Sequence, residues 1–182
     1  MKTRIILSLL IAMMIIVSYS FVQFSSKADQ SIVKELEMID SDLIKKDSEY
    51  KLVFFGYAGC YHFCDPRLRQ IDPIYKELQK SLDIKMLFVD ISNETTHDEA
   101  KRFVKEVNGE FETISPDNTG IKGLQKKFQD VYISKMPDGE YMHSGFLYLL
   151  KKYKQKYYML KIYPEFMNTK GVINDIKKRS AQ

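Results

Sequence analysis

Cys60 and Cys64 are the only cysteines among 182 residues, four positions apart in Gly56-Tyr57-Ala58-Gly59-Cys60-Tyr61-His62-Phe63-Cys64-Asp65-Pro66. A thiolate can be a nucleophile, half of a disulfide or a soft metal ligand. On a helical turn, positions i and i+4 share a face, with Cβ atoms about 5–6 Å apart. Two sulfurs so placed can grip one ion, or close to a disulfide after modest adjustment. As a structural staple the pair is weak, because a bridge across so short a loop removes little chain entropy. The spacing leaves a redox pair and two legs of a metal site as the chemical readings.

Two thiolates under-coordinate most metals, so a metal site needs a third ligand. There are three histidines. His62 stands at i+2 from Cys60 and points off the shared face of a helical loop. His97 sits in a charged helix start and reads as exposed or capping. His143 directly precedes the apolar run 144–150. In a mixed sheet such a strand start can lie beside the cysteine loop, although a lone histidine there is more often a plain loop residue.

The elements around the cysteines read as an α/β domain. Lys51–Tyr57 is a nearly continuous apolar run, the pattern of a strand buried on both faces. Asp65 and Pro66 read as the cap and first position of a helix, with Leu68, Ile71, Ile74, Leu78 on one face and Pro73 inside it. That geometry puts Cys64 at a helix start, where the dipole favours a thiolate. Ile84–Ile91 reads as a second buried strand, and Thr96 to Glu99 open a second helix. Glu110–Ile114 is a short strand, and Ile121, Leu124 and Phe128 mark a third helix. Ser144–Leu150 and Lys156–Tyr163 form a hairpin, and Gly171–Arg179 closes the chain as a helix. Helices between the early strands imply parallel crossovers, and the hairpin adds antiparallel strands. Sites in such sheets form beyond the strand C-termini, where both cysteines lie.

Upstream, Ile5 to Ser26 carries no charge, and Lys2 and Arg4 precede it. Eighteen helical residues over Ile5–Val22 rise about 27 Å, close to the roughly 30 Å hydrocarbon core. Residues 1–26 therefore read as a membrane anchor, or as a cleaved signal peptide ending near Ser18-Tyr19-Ser20; either exports the domain. Ile32, Leu36, Ile39 and Leu43 follow at helical spacing, so residues 27–49 read as a helical linker ahead of a domain at 50–182. Without Lys2 and Arg4, 28 − 2 = 26 basic residues face 24 acidic ones. That balance argues against a nucleic-acid binder. The basic, aromatic stretch Lys151–Tyr158 reads as a solvated hairpin tip.

The runs FFGYAGCYHFC, LFVDIS, THDEAKRFVKEV and HSGFLYLL together resemble the Sco/SenC family, over Leu52 to Tyr163 plus the anchor. These are membrane-anchored, thioredoxin-like copper chaperones of cytochrome c oxidase copper-site assembly. The resemblance implies a thioredoxin-like fold and a copper site of Cys60, Cys64 and His143. It also implies an anchor in the inner membrane with the N-terminus cytoplasmic, a monomeric domain on the periplasmic face, and the oxidase copper subunit or another copper chaperone as partner. The chain departs from the family pattern at Tyr61 and Asp65, where proline is usual, and at Met142, where aspartate usually precedes the histidine. The Asp90-Ile91-Ser92-Asn93-Glu94 loop is changed as well.

Two thiolates and an imidazole suit copper by softness. Low-coordinate Cu(I) leaves a side open, so the chemistry implied is ligand exchange rather than bond-making catalysis. Zn²⁺ would fit Cys2His plus water on geometry. The alternative is an exported thiol–disulfide oxidoreductase using the same pair. Against it stand the extra residue relative to Cys-x-x-Cys and His143-Ser144 where such enzymes place a cis-proline.

Overall fold

The computed structural model describes residues 13–14, 38–39, 42–45, 47–128, 131–137 and 141–181. The chain divides into two units, 1–36 and 37–182. In the first, Met13 and Met14 are helical and exposed. The rest of the expected anchor lies outside the described residues, among which no helix is long and apolar enough to cross a membrane.

In the second unit the apolar runs become strands β2 (Tyr50–Gly56) and β3 (Ile84–Asp90), which pair in parallel. Strand β4 (Glu112–Ile114) extends the parallel side. Strands β7 (Leu147–Tyr153) and β8 (Lys156–Tyr163) form the expected hairpin, and β7 lies antiparallel to β2. With β1 (Met38–Ile39) the sheet order is β1-β8-β7-β2-β3-β4. The mixed sheet therefore has β2 at its middle. Its side chains alternate between two cores: Leu52 and Phe54 pack on one face, Val53 and Phe55 on the other.

Helices α1 (Cys64–Leu78), α2 (His97–Lys105) and α4 (Thr169–Ser180) send Leu68, Ile71, Phe103, Val104, Val172 and Ile176 into the first core. Helix α3 (Asn118–Gln125) supplies Leu124 to the second. Helix α2 starts as its sequence signals, at a capping box in which Thr96 and Glu99 bond each other's amides. Pro73 lies inside α1, which runs on to Leu78.

The helical linker expected over 27–49 is corrected where its residues are described. Met38 and Ile39 are a strand paired with Tyr158 and Tyr157. A helical face would bury Ile39 and Leu43 alike, yet Ile39 is fully buried and Leu43 is 40% exposed. The unpaired edge of β8 offers a row of N–H and C=O groups, and pairing there outcompetes the local periodicity. A second element escaped the sequence: a small sheet of β5 (Ile133–Lys135) and β6 (Tyr141–His143), so His143 belongs to a strand of its own.

At the N-terminal pole of the parallel strands, Lys51 is wholly buried. Its ammonium lies 2.9 Å from Asp47 and 2.8 Å from Glu112, and Lys85 binds the same two carboxylates at 2.8 and 3.0 Å. This four-charge cluster ties β2, β3 and β4 together at the end opposite the cysteines.

Candidate metal centre

The turn after β2 delivers Cys60, and α1 begins at Cys64, not at Asp65-Pro66 as its sequence suggests. Phe63 occupies the cap position without a side-chain cap. Cys60 takes that role. Its Sγ accepts the Cys64 amide at 3.3 Å, and its carbonyl accepts the amides of Cys64 and Asp65 at 3.1 and 3.2 Å. Asp65 instead accepts two bonds from the Arg69 guanidinium one turn on, at 2.8 and 3.1 Å. The start of α1 is thus capped by Cys60, with one amide shared by its sulfur and the rest of the contact made by its carbonyl.

Cys64 is fully buried and Cys60 is 8% exposed; both are free thiols. Cys64 reaches the strand end because residue 56 is glycine: a Cβ there would stand 3.0 Å from its Sγ and 2.8 Å from the Phe88 ring. From β6, the His143 Nε2 comes to 3.3 Å from the Cys64 Sγ. One ligand atom from each of Cys60, Cys64 and His143 lies within 4.8 Å of the others, the one such cluster among the described residues. The imidazole is walled by Phe54, Tyr57 and Phe63, with ring centroids at 6.1, 6.1 and 5.4 Å in edge-on contact.

The two thiols differ sharply. A hydrogen bond from Cys64 is the largest influence on Cys60; it outweighs burial and, with His143, the Cys64 amide and Tyr57, holds this thiol far below its ordinary value. Burial first, and then the adjacent Cys60 sulfur, pushes Cys64 far up. These opposite directions make Cys60 the thiol of the pair that ionises more readily. This reverses the expectation that the helix start activates Cys64.

A cleft of about 630 Å³ opens over the site, lined by Cys60, Tyr61, His62, Phe63, Met142 and His143 among others. His62 is exposed at this opening, outside the three-residue cluster. His97 is at the start of α2, with Nδ1 3.4 Å from the Ser115 hydroxyl. Asp90, at the end of β3, is buried and accepts from Thr95, Ser115 and the amides of Ser92 and Ala58. It braces the loop just before Cys60. Burial raises its carboxyl despite those bonds. Sequence reasoning missed the aromatic wall and Arg67. Arg67 sits four residues before Ile71 on the apolar stripe of α1, a position where a charge is itself a signal.

A protein-family model described as SCO1/SenC matches residues 41–181. A SCO2-like protein of Rickettsia prowazekii (strain Madrid E) is 28% identical over 133 residues, 68% of this chain and 64% of the relative. The chain thus spans less than two thirds of that relative's length. The crystal structure of Arabidopsis thaliana ScoI with copper bound superposes with a TM-score of 0.63 at 20% identity, covering 72% of this chain and 85% of that one. Yeast Sco1 with copper bound gives 0.64 at 16% identity, covering 74% and 77%. At these identities the two structures establish the shared thioredoxin-like fold.

Proposed function

The chain belongs to the SCO1/SenC family, and from that premise we propose that it is an exported, membrane-anchored copper metallochaperone whose ligands are Cys60, Cys64 and His143. The observation that carries this reading is the convergence of two sulfurs and one imidazole within 4.8 Å beneath an open cleft. Two soft thiolates and a borderline nitrogen form a donor set suited to copper. The thiols must be reduced and must lose protons to bind. Of the two, Cys60 is the more readily ionised, and Cys64 gives up its proton less readily. With Cu(I) held by the sulfurs, the cleft side stays open to a partner's ligands, and copper passes on by stepwise ligand exchange. Oxidation to a Cys60–Cys64 disulfide removes both sulfurs and stops loading. The acceptor is the copper-site subunit of cytochrome c oxidase or another copper chaperone. The anchor at residues 1–26 places the domain on the outer face of the inner membrane.

One observation favours a second reading, thiol–disulfide exchange. The depressed Cys60 thiol and the raised Cys64 thiol suit a nucleophile and a resolving partner. The Cys60 thiolate would attack a partner disulfide, releasing one partner thiolate. Cys64, after losing its proton, would then displace the second, leaving a Cys60–Cys64 disulfide and a reduced partner. Incubating the copper-loaded chain with a reduced, copper-free oxidase copper domain separates the two. Movement of copper to the acceptor is expected. Copper retained by the chain, together with rapid reduction of an oxidised acceptor, would favour the exchange enzyme.

A further inference from the structure

Arg67 is 4% exposed, and it is a cation in the first turn of α1, where both desolvation and the helix dipole oppose it. Burial lowers its basicity to about 10, with Glu165 acting the other way, so it stays charged at neutral pH. Its guanidinium is spread over main-chain oxygens from two other segments. Nε donates to the Gly145 carbonyl at 3.1 Å, and Nη2 donates to the Pro164 carbonyl at 2.8 Å and to the Met167 sulfur at 3.7 Å. Nη1 donates to Gln70, whose own amide donates to the Met167 carbonyl at 3.0 Å.

Gly145 lies two residues after His143, in the crossing from β6 to β7. The crossing is held from three sides. The Ser144 amide donates to the Tyr132 carbonyl at 3.0 Å, Arg67 holds the Gly145 carbonyl, and the Phe63 ring lies where a Gly145 side chain would be, 2.7 Å from an ideal Cβ. Arg67 is three residues beyond Cys64 on the same rigid helix. A short mechanical path therefore runs from Cys64 through α1, the guanidinium and Gly145 to His143.

We propose that Arg67 is a positioning residue of the copper site: by clamping Gly145 to the first turn of α1, it sets the approach of the His143 imidazole to Cys64. This rests on the copper-site reading above. The planar fork explains the residue type, because its three nitrogens reach four separated acceptors at once, whereas the donors of an ammonium all radiate from one nitrogen. Of the three ligands the clamp bears on the imidazole, since both cysteines are carried by α1 and its leading turn.

The test uses the full-length chain in detergent as wild type, Arg67→Met, Arg67→Lys and His143→Ala. In the metal-free proteins, the NMR shifts of the His143 ring protons report the three surrounding aromatic rings. In the loaded proteins, Cu(II) and Cu(I) affinities and the Cu(II) spectrum are compared. In Arg67→Met, the ring protons should move toward free-imidazole positions. Cu(II) affinity should fall about 10–100-fold, as for loss of a group that orients a ligand. The spectrum should approach that of His143→Ala, Cu(I) affinity should hold, and Arg67→Lys should fall between. A folded Arg67→Met chain with wild-type ring shifts and Cu(II) affinity overturns the clamp. So does an equal loss in both oxidation states with Arg67→Lys no better. If Arg67→Met does not fold, Gly145→Ala disturbs the same crossing with Arg67 in place, and wild-type Cu(II) behaviour there overturns the proposal. A wild-type chain that binds no copper defeats the copper-site reading, while the metal-free ring shifts still decide the clamp.

Discussion

Lys51 allows removal of a cation and removal of its anions to be compared at one buried place. Its side chain is 0% exposed, whereas those of Asp47 and Glu112 are 34% and 26% exposed and that of Lys85 is 37% exposed. Replacing Lys51 with methionine keeps the volume and leaves both carboxylates near Lys85 and water, so the cost should stay within about 1 kcal/mol. The double change Asp47→Asn/Glu112→Gln leaves an ammonium buried without a counter-charge, which costs about 3–5 kcal/mol. For a chain of this size that lowers Tm by on the order of 10 °C. Asp47→Asn alone, at a partly exposed carboxylate, should cost under about 1 kcal/mol. The pH dependence has a defined sign. Burial alone would raise the Asp47 carboxyl, but hydrogen bonds from Lys85 and Lys51 hold it well below the usual range. Its contribution is therefore fully present above the unfolded value of about 4 and is lost as pH falls through the lower folded value. Thermal and urea unfolding of the four proteins, from neutral pH down to acid, measures all of this. A Lys51→Met protein as unstable as the double carboxylate variant would refute the reasoning, as would a wild-type advantage over Asp47→Asn that grows on acidification.

Alkylation of the metal-free protein, followed by mass spectrometry, should label Cys60 quickly near neutral pH and Cys64 slowly. The Cys60 rate should already be on its plateau there, because its thiol is held low; preferential labelling of Cys64 would contradict the assignment. Gly56→Ala forces a Cβ against the Cys64 sulfur and Phe88, so it should cost about 1–3 kcal/mol and weaken copper binding, read by unfolding and by metal competition. Wild-type behaviour would show that the strand end yields easily. Removing residues 1–26 should leave a soluble, monomeric domain by light scattering, whereas aggregation would assign the apolar segment to the core.

Elements that bury themselves with local side chains were readable. Strands β2 and β3 are continuous apolar runs, and α2 carries its own capping box at Thr96 and Glu99. Cys60, Cys64 and His143 were readable as a set only through the resemblance, because 79 residues separate Cys64 from His143. What stayed hidden depended on distant partners. Strand β1 borrows its hydrogen bonds from β8, against the helical spacing of its sequence. Three-residue strands such as β5 and β6 are too short to show a period. The start of α1 was misplaced because a cysteine sulfur, rather than the adjacent aspartate, met its first amide. Lys51 looks like a surface charge until the carboxylates that pair with it are in place, and the place of Arg67 on the apolar stripe of α1 gains its meaning only from the carbonyls that solvate it.

The central claim is tested most directly by titrating the reduced chain with copper, without oxygen and in competition with a Cu(I) chelator. The Cys60→Ser/Cys64→Ser and His143→Ala variants are titrated alongside. One tightly held ion is predicted, lost with the two cysteines, and with His143→Ala weakening Cu(II) far more than Cu(I). Binding no tighter than that of the double serine variant would contradict the account, and a readily exchanged Cys60–Cys64 disulfide would then give the pair to thiol–disulfide exchange.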